Sequence, residues 1–159
     1  MPDHVSYIDF ASRVSLPLPP LPIADMAPPA ELARLRVPLA EARVMLVASA
    51  GVHFKSDPPF AHTNDLTFRR IAQATDAKSI RASHPSPIRR PGLEDINVVF
   101  PYQRLAELAQ AGVIGGPTAS HVSMQGAIKR LLTLTSDLAP AIAGAARDEG
   151  TDAVLLIPL

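Results

Sequence analysis

Cysteine is entirely missing from this sequence, and several classes of function are excluded with it. A chain without cysteine forms no disulfide framework, holds no zinc-thiolate site and carries no catalytic thiol of its own. Aromatic residues are also scarce, at 4% of the sequence, although 47% of all residues are hydrophobic. The core must therefore consist mainly of valine, leucine, isoleucine and alanine.

Net charge and long apolar runs are missing as well. The 15 Lys and Arg residues balance the 15 Asp and Glu residues, so composition gives no reason to expect nucleic acid or an anionic membrane as a partner. The basic pairs Arg69-Arg70 and Arg89-Arg90 are interpreted as solvated surface and not as a nucleic-acid site. No apolar run reaches the ~18 residues of a membrane span, and the start lacks the pattern of a secretory signal. We therefore expect a cytoplasmic protein.

The order of the apolar segments predicts an α/β domain over residues 38–159, a Rossmann-like three-layer sandwich with a mostly parallel sheet. Residues 1–37 are predicted to form a short helix and a proline-rich extended arm, because so many prolines exclude a helix or a central strand. Arg43–Ala48 is predicted to be the first strand. The continuous apolar run within residues 152–159 predicts a last, buried parallel strand.

Between these strands the pattern predicts a long connection and two helices. Residues 52–77 have few periodic apolar positions and are predicted to be a loop. A first helix should begin at Pro101 and be capped by Gly112. A longer helix is predicted over 125–149, with Ser136 as the N-cap of its second half.

Polar residues suited to ligand binding follow the first strand. Ligands in open α/β sheets bind beyond the carboxyl ends of strands. There Gly51 permits a sharp exit, and His53, Lys55 and Asp57 supply an imidazole, an ammonium and a carboxylate. We expect Gly51, Lys55 and Asp57 to bind substrate, with Lys55 and Arg81 holding a carboxylate and Asp57 orienting a histidine. The alternative is a solvated loop held in place by its prolines.

Three histidines follow three separate strands or turns in the prediction. His53 follows the first strand, His84 follows a short strand over 79–83, and His121 follows a turn and precedes Ser123. We expect the histidines to line a pocket or transfer protons, as candidate catalytic residues, and Ser123 to bind substrate. With a carboxylate they would also suit zinc or iron, but none has the close paired spacing of a metal motif, so no metal is predicted. The remaining alternative is a structural role in turns.

Taken in order, several segments resemble the selenoprotein B family of the glycine/sarcosine/betaine and D-proline reductases. The resembling segments are Pro38 to Val44, Gly51 to His53, Pro58 to Phe60, His84 with Pro85, Glu94 to Pro101, Gly112 to Gly116, His121 with Ser123, and Gly150 to Leu156. Together they span residues 38–159, and their order is more specific than any single piece. The resemblance implies a small amino-acid-like substrate, and copies of itself or other reductase subunits as partners.

The sequence departs from this family at the redox centre. In the family, a cysteine or selenocysteine and a second cysteine follow the last strand, whereas this sequence has no cysteine and its last residue is Leu159. Selenocysteine is encoded by UGA, which ordinary translation reads as a stop. We therefore expect the front part of a reductase subunit, inactive as written, with no cofactor in this chain and the redox pair in a longer product.

Two other interpretations remain open. The chain could be a standalone, non-catalytic module that binds a small ligand or another protein, and an exposed terminal strand would favour such association. A hydrolase or lyase built on the histidines and Asp57 is the third possibility.

Overall fold

The fold is built around one central strand of the mostly parallel sheet. The computed structural model describes residues 33–86 and 90–159, and the helix and arm predicted from the first residues lie outside this part. Strand β1 spans Arg43–Ala48, as predicted, and its residues after Arg43 are buried. It pairs in parallel with the last strand along one edge, and with two consecutive short strands along the other.

The remaining strands complete one sheet and form a second, smaller one. In chain order they are β2 (Val52–Phe54), β3 (Phe68–Ala72), β4 (Ile80–Ala82), β5 (Gly116–Pro117), β6 (Ser120–Met124) and β7 (Ala153–Ile157). In the main sheet β3 is antiparallel to β6, β6 and β5 each pair in parallel with β1, and β7 pairs with β1 as well. Strands β2 and β4 pair antiparallel in a separate sheet. This arrangement confirms an α/β fold with a mostly parallel sheet, whereas the three-layer Rossmann-like architecture stays a prediction.

The prediction of a loop over residues 52–77 is wrong, because this segment contains β2 and β3. Strand β2 has only three residues, and β3 carries two arginines, so neither shows a regular apolar alternation. The strand predicted over 79–83 is confirmed as β4, although it lies in the small sheet.

The helices are shorter than the apolar pattern predicts. They are α1 (Arg90–Glu94), α2 (Tyr102–Gln110), α3 (Leu131–Thr133) and α4 (Ala139–Asp148), with a π-helical turn at Leu134–Leu138 and 3₁₀ turns at Leu39–Glu41, Ala77–Ser79 and Ile96–Val98. Helix α2 follows Pro101 as predicted, and Gly112 just beyond its end has a φ of 71°. The helix predicted over 125–149 starts only at Leu131, because Gln125 forms a bridge with Ala50 instead. Ser136 lies inside the π-helical turn and is not an N-cap.

Strand β1 divides the core by alternation of its side chains. Val44, Leu46 and Ala48 pack in one cluster with residues of α2 and the turn before it, whereas Met45 and Val47 pack in another with residues of α4. No helix in residues 33–86 or 90–159 is long and apolar enough to cross a membrane.

The last strand differs in one respect from its prediction. Strand β7 is parallel to β1, as expected, and pairs with it from Val44↔Ala153 to Ala48↔Ile157. Its central side chains are exposed rather than buried, because within the described part of the chain β7 has a neighbouring strand on one side only.

Candidate functional site

The carboxyl ends of β1, β6 and β7 are tied together by Ser49. Its backbone N–H donates to the carbonyl of Ile157 at 3.0 Å, and its carbonyl accepts from the Gly126 N–H at 2.9 Å. Its hydroxyl oxygen accepts a third hydrogen bond, from the Leu159 N–H at 2.9 Å. Three strand ends therefore meet at one residue, at the edge of the sheet where α/β folds place their ligands.

Gly51 makes the sharp turn that the sequence predicts. Its φ is 64°, and an added Cβ would lie 3.0 Å from both the Ser83 hydroxyl and the Gln125 side-chain oxygen. Its carbonyl accepts from the Ser83 N–H at 3.1 Å and from the Ser83 hydroxyl at 3.0 Å. Only glycine combines this backbone conformation with so close an approach. Gly51 thus serves to close the turn between β1 and β2.

Among the three histidines, His53 is the one whose Nε2 atom is available to accept a proton. It is fully buried in β2, and its Nδ1 lies 2.7 Å from the carbonyl of Phe54, which can only accept, so Nδ1 carries the proton. Burial lowers the pKa of His53, the cations of Arg69 and Arg81 lower it further, and the Phe54 carbonyl and the Asp57 carboxylate oppose them. Nε2 makes no hydrogen bond within the described part of the chain. His53 is therefore a neutral imidazole with an unused lone pair, which is the state required of a proton acceptor.

His84 lies beside the strand ends joined by Ser49. Its backbone N–H donates to the Ala50 carbonyl at 3.2 Å, and its Nδ1 accepts from the Ser86 N–H at 3.1 Å. Its ring packs against Gly126, where an added Cβ would lie 2.6 Å from Nε2. Of the three predicted histidines, His84 is the one placed at the carboxyl ends of β1 and β6.

His121 fills a gap in the main sheet. Val44 pairs with Pro117 of β5, and Val47 pairs with Val122 of β6. Between these two pairs β1 advances by three residues, whereas the segment from β5 to β6 advances by five. The extra residues form a bulge, and the Leu46 N–H in the gap donates to His121 Nδ1 at 3.1 Å. The imidazole therefore takes the place of a missing backbone acceptor.

Both ring nitrogens of His121 are used inside the protein. Because Nδ1 accepts, Nε2 carries the proton and donates to the side-chain oxygen of Gln73. Burial lowers the pKa of His121 to about 4, against a smaller opposing effect of Glu149. These contacts give His121 a structural role in the sheet. Whether it also takes part in chemistry stays a prediction without support from this geometry.

Lys55 and Arg81, the two residues predicted to hold a carboxylate, line the same cavity. The cavity has a volume of about 290 Å³ and is bounded by β4, α1 and the 3₁₀ turns at Ala77–Ser79 and Ile96–Val98. Lys78 adds a third cation to its wall, and Glu94 and Asp95 add two carboxylates. Arg81 stands directly opposite His53 in the pairing of β4 with β2, although His53 itself is not among the residues that line the cavity.

The other predicted ligand residues have mainly structural contacts. The Asp57 N–H donates to the Phe54 carbonyl at 3.0 Å in the turn after β2, and the Asp57 carboxylate acts on His53 electrostatically. Ser123 is fully buried, and its hydroxyl accepts from the Val52 N–H at 2.7 Å. This bond holds β2 against β6, so the hydroxyl is engaged within the protein.

Two further residues were missed or misjudged from the sequence. Gln125 is fully buried and donates from Nε2 to the Ala61 carbonyl at 3.1 Å, whereas its Oε1 has no hydrogen-bond partner in the described residues. The prediction that Arg69 is solvated surface is wrong, because its guanidinium lies 4.0 Å from the centre of the Phe60 ring. Phe60 in turn meets His53 edge-on, with ring centres 6.4 Å apart. The residues between Phe60 and Arg69 must fold back for this contact to form, and the sequence pattern alone does not show that.

The histidines do not form a metal centre with their neighbours. Within residues 33–86 and 90–159, no three His, Asp or Glu side chains are grouped as metal ligands would be. His53, His84 and His121 instead have three different sets of hydrogen-bond partners.

Comparison with known proteins finds a similarity to a reductase subunit. The chain is 31% identical over 118 residues to D-proline reductase subunit gamma of Acetoanaerobium sticklandii. The chain is therefore similar to a reductase subunit over most of its own length. It covers 74% of this chain and 49% of that subunit, so the chain spans about half the length of its relative. No protein-family model and no solved structure matches the chain. The narrower assignment to selenoprotein B stays a prediction.

Proposed function

We propose that this chain is the substrate-binding part of a reductase subunit of the selenoprotein B type, which acts on a small amino-acid-like substrate. The observation that carries the proposal is the cavity lined by Lys55 and Arg81, in a chain similar to D-proline reductase subunit gamma. We further propose that the subunit works together with other reductase subunits, because its relative is itself named as one subunit.

The charges around the cavity suit a zwitterion. The guanidinium of Arg81 can hold a carboxylate through two parallel hydrogen bonds, and Lys55 and Lys78 add positive charge. Glu94 and Asp95 offer negative charge to a substrate amine in the same cavity. A volume of about 290 Å³ lies at the small end of ligand sites, which favours a single amino acid over a peptide or nucleotide.

His53 is the residue that we assign to proton transfer. Its Nδ1 proton is fixed by the Phe54 carbonyl, so the Nε2 lone pair is the ring's only acceptor. Reductive cleavage of an amino acid consumes protons as well as electrons, so His53 would have to take up a proton at Nε2 before it could deliver that proton to the substrate. The electrons must come from groups that this sequence does not include, because a thiol or selenol pair is missing from it.

Isothermal titration calorimetry with D-proline, glycine, sarcosine and betaine tests the proposal. We expect one of these ligands to bind, and Lys55→Ala or Arg81→Ala to weaken its binding about 10- to 100-fold, the loss expected for one charge-assisted hydrogen bond. Lys129→Ala is the matched control, because Lys129 lies outside the cavity, and its affinity should equal that of the wild type.

The same experiment can contradict the proposal. Failure of all four ligands to bind would favour the standalone protein-interaction module. An equal loss of affinity in Lys129→Ala would show that binding depends on general charge and not on the cavity.

A further inference from the structure

Three buried polar atoms around Phe60 have no hydrogen-bond partner within residues 33–86 and 90–159. They are Nε2 of His53, Oε1 of Gln125 and Nη1 of Arg69. The side chains of His53 and Gln125 are fully buried. Buried polar atoms are almost always hydrogen-bonded, because an unpaired one keeps the full cost of its removal from water. Three of them in one region indicate a bound group that pairs with them.

Two consecutive residues, Phe60 and Ala61, contact all three side chains. The Phe60 ring meets the His53 ring edge-on, with centres 6.4 Å apart, and its centre lies 4.0 Å from the guanidinium carbon of Arg69. Gln125 donates from Nε2 to the Ala61 carbonyl at 3.1 Å. Because a carbonyl can only accept, this bond directs Nε2 to Ala61 and leaves Oε1 as the unpaired atom of the amide.

The backbone brings the same side chains together from below. Arg69 of β3 pairs with Ser123 of β6, so their side chains share a face of the main sheet, and Gln125 follows Ser123 by two residues. Oε1 of Gln125 lies 3.0 Å from the position that a Cβ on Gly51 would take. His53 follows Gly51 by two residues in the chain. The three unpaired atoms therefore belong to one buried region between the main sheet and β2.

The hydrogen-bonding capacity of these atoms matches a water molecule. Nη1 of Arg69 can only donate, whereas Oε1 of Gln125 and Nε2 of His53 can only accept, since the ring proton of His53 is on Nδ1. A water molecule accepts from the first atom and donates to the other two, and three such bonds are typical of a buried water. A cation would be repelled by Arg69, and an anion without hydrogen has nothing to donate to the two acceptors.

We propose that a water molecule is bound between His53, Gln125 and Arg69, and that Gln125 is a positioning residue that orients this water toward His53. When Oε1 holds one hydrogen and the guanidinium donates to the oxygen, the second hydrogen is directed at Nε2. The water is then the group in contact with the lone pair that we assign to proton transfer, and this last consequence alone rests on the proposed function.

High-resolution crystal structures of the wild type and two variants test the site directly. In the wild type we expect one ordered water, about 2.7–3.2 Å from each of the three atoms. Gln125→Met keeps the length and neutrality of the side chain but has no oxygen acceptor, so the water should be lost. Gln125→Glu keeps an acceptor but cannot donate to Ala61, and the water should remain. A wild-type structure without a water that bridges Nε2 and Oε1, or a water retained in Gln125→Met, would overturn the proposal.

Nitrogen NMR of the histidine rings at pH 7.5 tests the positioning role in solution. Nε2 of His53 should have the chemical shift of a hydrogen-bonded acceptor in the wild type, and the shift should move toward that of a free imidazole nitrogen in Gln125→Met. His121 is the internal control, because both of its nitrogens bond within the protein. Gln110→Met, at an exposed position of α2, should leave both histidines unchanged.

An unchanged His53 shift in Gln125→Met would refute the positioning role. Neither measurement uses a substrate, so this proposal can fail while the proposed function stands. Conversely, a bound water at His53 would remain if none of the four ligands bound to the cavity.

Discussion

His121 should make the stability of this protein depend on pH well above the range in which carboxylates titrate. Burial lowers the pKa of His121 to about 4 in the folded chain, whereas an unfolded histidine has a pKa of 6.5. As the pH falls below 6.5, the unfolded chain takes up a proton that the folded chain refuses. Stability is therefore complete above pH 6.5 and is lost progressively down to about pH 4.

The size of the effect follows from the two pKa values. At pH 5 the loss through His121 amounts to about 2 kcal/mol, and it approaches about 3 kcal/mol below pH 4. The lowered pKa of His53 adds to the effect in the same direction. Asp65 and Glu149 also have lowered pKa values, but carboxylates contribute only as the pH falls through their own, more acidic range. The interval from pH 7.5 to pH 5 therefore isolates the histidines.

Urea unfolding of the wild type and of His121→Asn at several pH values between 7.5 and 5 measures this contribution. The asparagine oxygen can still accept the Leu46 N–H but does not titrate, so the variant should lose about 2 kcal/mol less than the wild type over this interval. His62→Asn is the control, because His62 is exposed. If wild type and His121→Asn had the same pH dependence, the assignment of a neutral, buried His121 would be refuted.

Two further substitutions test the turn and the contact that hold β2 in place. Gly51→Ala should cost about 2 kcal/mol of unfolding free energy, because alanine is strained at a φ of 64°, whereas Gly144→Ala in the open surface of α4 should be neutral or stabilising in the same thermal unfolding assay. Ser123→Ala should cost about 1–3 kcal/mol, since it leaves the buried Val52 N–H without an acceptor, and Ser56→Ala at an exposed position is its control. A Ser123→Ala protein of unchanged stability but weakened ligand binding would restore the sequence-based role of Ser123 in substrate binding.

The local sequence pattern was sufficient to predict those elements that form regardless of which distant residues pack against them. Strand β1 is an unbroken apolar run, and α2 has a proline before it and a glycine after it, so both could be predicted. Strand β3 could not, because Arg70 is paired with Asp148 and Glu149, which are distant in the chain. The prediction that β7 is buried was wrong for a related reason. A continuous apolar run indicates that both faces of a strand are covered, but it does not show which residues cover them.

The sequence predicted which residue types form the candidate site, but it did not predict the role of each residue. Lys55 and Arg81 were expected to act together and do line one cavity. The three histidines look equivalent in sequence. Only the fold shows that Nε2 of His53 has no hydrogen-bond partner in residues 33–86 or 90–159, while both nitrogens of His121 are engaged. Their roles depend on which backbone group each ring meets, and that depends on contacts between distant parts of the chain.

The bulge opposite Leu46 links a change in chain length to a change in side-chain chemistry. The two extra residues between Pro117 and Val122 leave an amide without a backbone acceptor, and His121 supplies that acceptor. Neither feature is stable alone: deletion of the two residues would leave the imidazole without its donor, and loss of the imidazole would bury an unsatisfied amide. The insertion and the histidine should therefore be gained or lost together during divergence, as a single inherited unit.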